Sequence, residues 1–204
     1  MTIIKNDKWL YKMCKNVASN SKCLSRKVGS VLVRDGVVIS QGYNGPPKGS
    51  PHCDERYIID PVLRENMKNL GKDPDDPNFH KCCPRQSLGF KSGQGLDWCV
   101  AGHSERNALI NAASNGISTK GTKLYMDCNV PCTPCLVEII NAGVEEIIIV
   151  DYKYYDISAE YTLKNSTLEH RLYRHLCKHE RIVATFCINC KSNLNDKMEI
   201  IGNE

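Results

Sequence analysis

Two short clusters hold residue types that can bind a metal and move protons. One is His103-Ser104-Glu105; the other is Pro131-Cys132-Thr133-Pro134-Cys135. Each stands where a helix is expected to begin. Cys132 and Cys135 are three residues apart, so one helical turn puts both sulfurs on one side. A helix N-terminus favours the thiolate, the form a metal needs. His103, at the neighbouring helix start, supplies a third ligand. Three protein ligands leave a tetrahedral zinc one position open to water, which separates a catalytic site from a closed structural one. Zinc lowers the pKa of that water to about 7. Glu105, two residues beyond the histidine, can stand beside the water as a proton carrier. The competing reading is a core histidine with packing or redox-paired thiols, and it gives Glu105 no reason to be there.

The elements that position these residues follow from the pattern. Twenty-five residues separate Glu105 from Pro131, enough for helix, turn, strand and turn. Residues 104–113 read as a helix ending at Asn115-Gly116, 122–127 as a strand, 133–142 as a helix closed by Gly143, and 146–150 as a buried strand. Upstream, Trp9, Leu10, Met13, Cys14 and Val17 mark an amphipathic helix over 7–20. Two β-branched runs in 28–41 flank Arg34-Asp35-Gly36, a hairpin signal. Alternating strands and helices argue an α/β fold with a partly parallel sheet. From 46 to 98 breakers dominate, with one short helix expected in 56–70. So long an irregular stretch needs a staple, and its cysteines suggest metal. A basic helix is expected near 166–179. The chain divides into a main domain over 1–165, with the insertion at about 46–98, and a C-terminal extension over 166–204.

Composition narrows the class. The chain has 204 residues, 41% hydrophobic and 25% charged, enough apolar content to bury a core. The 12 cysteines are about 6%, below the roughly 8–10% of a short disulfide scaffold. The longest aliphatic run is Ile147–Val150, far short of the ~20 residues of a bilayer helix, and no signal-peptide stretch opens the chain. A cytoplasmic location is expected, with thiols kept reduced and available to metal. A net charge of +4 is too mild for a duplex-binding surface and suits a small phosphorylated ligand.

His-x-Glu…Pro-Cys-x-x-Cys is the established signature of zinc nucleobase deaminases. With Ser25-Arg26-Lys27-Val28-Gly29-Ser30-Val31, Gly42-Tyr43-Asn44-Gly45-Pro46-Pro47 and His103-Ser104-Glu105-Arg106-Asn107-Ala108-Leu109, the chain over residues 7–155 resembles the deoxycytidylate deaminase family. It departs at Ser104, where the family usually has Ala. The resemblance implies a three-layer α/β/α sandwich around a five-stranded mixed sheet, and hydrolysis of dCMP to dUMP. Zinc-bound hydroxide would attack C4 of cytosine, with Glu105 shuttling protons to N3 and to the leaving ammonia. It implies Asn44 as the residue holding the sugar hydroxyl and a tyrosine near the substrate, either Tyr154 or Tyr155. Arg26, Lys27 and Arg106 are the nearest basic candidates for the phosphate. It further implies a homo-hexamer activated by dCTP and inhibited by dTTP, with Mg2+ accompanying a triphosphate effector at Gly42, Tyr43, Asn44 and Gly45. The alternatives are a deaminase acting on both dCTP and dCMP, or one acting on tRNA or single-stranded DNA bases. A strand binder would need more aromatic and basic surface than 7% aromatics and this charge provide.

Two further metal clusters are expected. Regulated family members bind a structural zinc through a cysteine before the first strand and residues of the insertion. Cys23 and Cys53 match two such positions; Cys83 and Cys99 complete a four-thiolate set, with His52, His80 and Cys82 as substitutes. In the extension, Cys177, His179, Cys187 and Cys190 have the spacing of a small zinc knuckle.

Overall fold

In the computed structural model, residues 2–91 and 93–173 are described, together with three short strands farther on, Ile182–Val183, Phe186–Cys187 and Ser192–Asn193. Helix α1 (Thr2–Ala18) is followed by β1 (Gly29–Arg34) and β2 (Val37–Tyr43). Asp35 (φ 52°) and Gly36 (φ 79°) make the tight turn between these strands, with positive φ at both positions, as two-residue hairpins favour. The main chain then runs through α5 (Ser104–Ser114), β3 (Thr122–Met126), α6 (Thr133–Asn141), β4 (Val144–Ile149), α7 (Ile157–Lys164) and β5 (Glu169–Leu172). The sheet has five strands in the order β2-β1-β3-β4-β5. β1 runs antiparallel to both β2 and β3, while β3, β4 and β5 are mutually parallel. This is the mixed sheet expected.

Side-chain alternation along the strands builds a core on each face. Val31 and Val33 meet Leu10, Cys14 and Val17 of α1, with Tyr125 and Ile148 completing that layer. Leu32, Leu124, Met126, Ile147 and Ile149 point the other way, into α5, α6 and α7. Trp9, expected on the buried stripe of α1, is 51% exposed. Gly42 sets how near α5 comes to the hairpin: a Cβ there would lie 2.3 Å from the backbone of both Ala108 and Ser104.

Two regions differ from expectation. The insertion carries more than one short helix: α2 (Arg56–Ile59), α3 (Pro61–Asn69) and α4 (Pro84–Ser87), with single 3-10 turns at Phe79–Lys81 and Leu96–Trp98. Asp60 caps α3 by accepting a hydrogen bond from Leu63 N at 3.0 Å, and Pro61 stands in its first turn. Tyr57, Leu63 and Met67 form a small core with Phe79, Leu88 and Trp98, so the segment has apolar cohesion of its own. Where a basic helix was expected near 166–179, residues 169–172 form β5, and the sheet reaches past residue 165. The cause is Arg171. It is buried, and its guanidinium bonds Asp7 of α1 at 2.6 and 3.0 Å and Glu146 of β4 at 2.7 Å. A buried guanidinium needs such partners, and β5 alongside β4 is where Arg171 meets both.

The close approach at Gly42 yields a paired test. Gly42→Ala is expected to lower stability by about 1–3 kcal/mol by overpacking and to weaken zinc retention, because α5 carries His103 at its start. Gly45→Ala, where an added Cβ meets nothing within 4 Å, should stay within about 0.5 kcal/mol. Equal urea midpoints for the two variants would remove this contact as the constraint on α5.

Candidate metal centre

The site lies at the carboxyl end of β3, where α/β sheets commonly bind ligands. His103 is the N-cap residue of α5 and Cys132 the N-cap residue of α6, with Pro134 in the first turn of α6. The two helix starts face each other. Cys132 Sγ is 3.5 Å from His103 Nδ1, Cys135 Sγ is 3.3 Å from the same nitrogen, and the two sulfurs are 3.4 Å apart. Tetrahedral zinc with sulfur at about 2.3 Å and nitrogen at about 2.0 Å needs ligand separations of about 3.5–3.8 Å. The triangle fits one such ion after relaxing by a few tenths of an ångström. Among the described residues these three are the group whose donor atoms gather this closely. None of the described cysteines is in a disulfide.

The protonation states suit a cation. The Cys132 thiol is drawn down to about 5, first by its hydrogen bond to Cys135 and then, against burial, by His103. Cys135, hydrogen-bonded to that sulfur and buried, is pushed well up. The His103 ring is raised to about 10 by Cys132 and then by Glu105. Protons thus occupy the centre of a cluster that a divalent metal would discharge on binding.

Glu105 is 4% exposed. Burial opposes its charge, yet the His103 ring, 3.6 Å from Oε1, holds the carboxyl below its ordinary range. Ser104 contributes as well. Its hydroxyl donates to Glu105 Oε2 at 3.0 Å and lies 2.7 Å from Ser30 Oγ of β1. Ser104 therefore pins one carboxylate oxygen and leaves Oε1 toward the ligand set.

A cavity of about 250 Å³ opens beside these groups. His103, Glu105 and Cys132 line it, as do Arg26, Asn44, Tyr154 and Tyr155. Asn44 is tightly engaged: its Oδ1 accepts from Val28 N and its Nδ2 donates to Arg26 O, both at 2.8 Å. It takes no positive φ, so its place in the turn owes nothing to left-handed backbone. Tyr154 Oη is buried without a hydrogen-bond partner among the described residues, and burial pushes its pKa to about 12; Tyr155 is 41% exposed.

Other expectations are redistributed. Arg106 does not line the cavity; its guanidinium is held by Glu138 of α6 at 2.7 and 2.8 Å. Gly42, Tyr43 and Gly45 are also outside its wall. Gly42 packs on α5, Tyr43 O accepts from Asn107 Nδ2 at 2.8 Å, and Gly45 bridges Gly102 through paired backbone hydrogen bonds. Cys23, Cys83 and Cys99 surround Cys53, whose thiol is pushed up to about 11 by burial and then by those three neighbours. Their sulfurs do not reach the spacing of the His103 cluster. Cys177, His179 and Cys190 lie outside the described residues, as does the side chain of Cys187. Two cavity residues carried no sequence signal: Arg85 sits in the irregular insertion, and Lys153 is hidden within the tyrosine-rich stretch after β4.

The family model of the cytidine and deoxycytidylate deaminase zinc-binding region matches residues 4–151. The chain belongs to this family. It is 32% identical over 142 residues to a deoxycytidylate deaminase of Schizosaccharomyces pombe, covering 70% of this chain and 36% of that protein. The deoxycytidylate deaminase of Enterobacteria phage T2 is 31% identical over 137 residues, covering 65% of this chain and 72% of that one. The crystal structure of the cyanophage S-TIM5 dCMP deaminase in complex with dCMP and dUMP shares the fold, with a TM-score of 0.55 at 22% identity over 82% of this chain and 96% of that one. The zinc-binding family region and the His/Cys/Cys cluster together support zinc. No helix among the described residues is long and apolar enough to cross a membrane.

Asp156 ties the start of α6 to the start of α7. Its carboxylate caps α7 through Ala159 N at 2.7 Å and accepts from Thr133 N at 3.1 Å and from Thr133 Oγ1, at the start of α6. Burial opposes the charge, but the Thr133 and Ala159 donors prevail and lower its pKa. A depressed carboxylate stabilises the fold above its unfolded pKa of about 3.9, and that contribution is lost as the pH falls through the folded value. Asp156→Ala is expected to lose about 1–2 kcal/mol at pH 7 and to release zinc more readily. The gap from the parent should narrow below about pH 4. A pH-independent difference in denaturation would sever the effect from the carboxylate's charge.

Proposed function

We propose that the chain is a zinc-dependent hydrolase that converts dCMP and water to dUMP and ammonia. The observation that carries this is the three-donor triangle with the Glu105 carboxylate beside it, inside a cavity of nucleotide scale. His103, Cys132 and Cys135 would hold the metal. Zinc supplies Lewis acidity and lowers the pKa of water to about 7. Glu105 then acts through Oε1, carrying one proton of water to N3 of cytosine, where it stays, and the second, from the hydroxyl added at C4, to the amine that departs as ammonia. Ser104 holds the other carboxylate oxygen and is itself held by the Ser30 hydroxyl, so the carrier stays oriented. Asn44 fixes the 26–28 loop and has a second amide hydrogen for the sugar hydroxyl. Tyr154, half-buried and neutral, offers a hydroxyl to the substrate, with Tyr155 at the rim.

The reading extends beyond this site. A structural zinc at Cys23, Cys53, Cys83 and Cys99 is supported by the gathering of three sulfurs around Cys53. Regulation by dCTP and dTTP at the Gly42–Gly45 loop, Mg2+ with a triphosphate effector and assembly into a homo-hexamer are supported by family resemblance. A cytoplasmic setting suits reduced, metal-ligating thiols.

Zinc-loaded protein should deaminate dCMP, followed as loss of cytosine absorbance, in a panel with dCTP, cytidine and a cytosine oligonucleotide. Turnover of no mononucleotide would overturn the reading; turnover of the oligonucleotide alone would move it to nucleic acid. Glu105→Gln should keep its zinc and lose about 10²–10⁴-fold in rate, and an active variant would remove Glu105 as the proton carrier. For the structural site, Cys53→Ser should lower the zinc content by one ion per chain. Unchanged content would confine zinc to the His103 centre.

A further inference from the structure

The Glu105 carboxylate is the end of a hydrogen-bonded chain that begins outside the cavity. Ser30 shares with Leu32 the face of β1 that packs against α5. Ser30 is fully buried and does not line the cavity. Its Oγ is 2.7 Å from Oγ of Ser104, which is buried at the start of α5. Ser104 Oγ is in turn 3.0 Å from Glu105 Oε2. An ionised carboxylate only accepts, so the Ser104 proton points to Oε2, and Ser30 must then donate to Ser104. The chain therefore runs one way, from the sheet to the carboxylate. Ser30 Oγ makes no second hydrogen bond among the described residues. A proton on Oε2 would either weaken it as the acceptor of Ser104 or turn the chain round. Reversal would leave the buried Ser30 proton facing no acceptor, which is costly. Oε1, 3.6 Å from His103 Nδ1, is under no such constraint.

We infer that Ser30, acting through Ser104, is a positioning residue for the deaminase reaction, reserving Glu105 Oε1 as the oxygen that carries both protons. The inference deepens the deaminase reading and takes the reaction from it; the hydrogen-bond chain stands apart from it. With Oε2 held, Oε1 gives the first proton to N3 and stays in place to take the second from the hydroxyl at C4. Without the chain, the carboxylate can turn and carry a proton on an oxygen directed away from the base. The close approach at Gly42 brings the two hydroxyls together, since a Cβ there would lie 2.3 Å from Ser104 O. A separate hydroxyl contact, Ser40 Oγ donating to Ala108 O at 2.7 Å, joins β2 to the same helix without reaching Glu105 and supplies a control.

The test compares the full-length zinc-loaded protein with Ser30→Ala, Ser104→Ala, the double variant and Ser40→Ala, all at equal zinc content. For dCMP, kcat should fall about 3- to 10-fold in Ser30→Ala and about 10-fold in Ser104→Ala, the scale of one oriented hydrogen bond. KM should stay within about twofold, because the interaction acts on the proton carrier and not on binding. The double variant should match Ser104→Ala, since Ser30 works only through Ser104. Ser40→Ala should keep its kcat. Additive losses, an unchanged Ser30→Ala or an equally slow Ser40→Ala would overturn the positioning role. Crystal structures separate this inference from the catalytic reading. In the parent, Glu105 should hold one conformer with Oε2 on Ser104; in Ser30→Ala and Ser104→Ala the carboxylate should be rotated or split. An unchanged carboxylate in both variants sinks the inference even where dCMP is turned over. A displaced one sustains the chain's hold on Glu105 even where the parent turns over nothing.

Discussion

Three donor atoms within 3.3–3.5 Å of one another are a demand on two helix starts more than on three side chains. Cys132 and Cys135 are brought together by one turn of α6, a local matter. His103 comes from α5, whose position relative to α6 is fixed by packing on the same face of the sheet. That packing depends in turn on Gly42, which lets the helix backbone come against β2. The Asp156 carboxylate fixes the other half by tying the first turn of α6 to α7. The metal centre is therefore the meeting point of contacts made well away from it, and the ligands themselves add only the last few tenths of an ångström.

The same economy governs charge. Buried ionised groups are costly unless paired, and the fold satisfies them in two separate places. On the α1 face, Arg171 spans Asp7 and Glu146 and draws the last strand onto the sheet. On the opposite side of the molecule's chemistry, Glu105 is kept ionised in a buried position by a histidine and a serine hydroxyl. The first arrangement has all its partners within the chain. The cavity does not, since Arg85 Nε has no acceptor among the described residues.

How much of this was legible in the sequence depends on range. The metal triad and Glu105 could be read because each cluster is short and its geometry follows from helix periodicity. The hairpin was legible in Arg34-Asp35-Gly36, since few residue pairs accept its turn. The strand at 169–172 was hidden because Glu169-His170-Arg171-Leu172 is polar by composition. Its burial depends on Asp7, more than 160 residues away, and local pattern cannot show such a partner. Arg106 looked like a phosphate ligand because it follows Glu105 directly, but helix geometry turns it outward to Glu138. Arg85 lacked any motif, and only the folding of the insertion carries it to the cavity. The insertion's small core around Tyr57 was masked by the breakers that surround it.

Cys83 and Arg85 are two residues apart, and Cys23 and Cys99 line the same cavity as Glu105. Whatever holds Cys83 near Cys53, Cys23 and Cys99 therefore also holds the wall that bears Arg85. Tyr57 reinforces the link, since its hydroxyl bonds Cys82 O at 2.9 Å and Ser87 Oγ at 2.5 Å, bracketing the Cys83–Arg85 segment. An irregular segment is ordinarily a poor platform for a charged side chain, because ordering it costs conformational entropy. Here the apolar core behind it helps to meet that cost. The cysteine-rich insertion is then an arm, folded by its own contacts, that closes one part of a cavity whose metal-binding residues come from elsewhere in the chain.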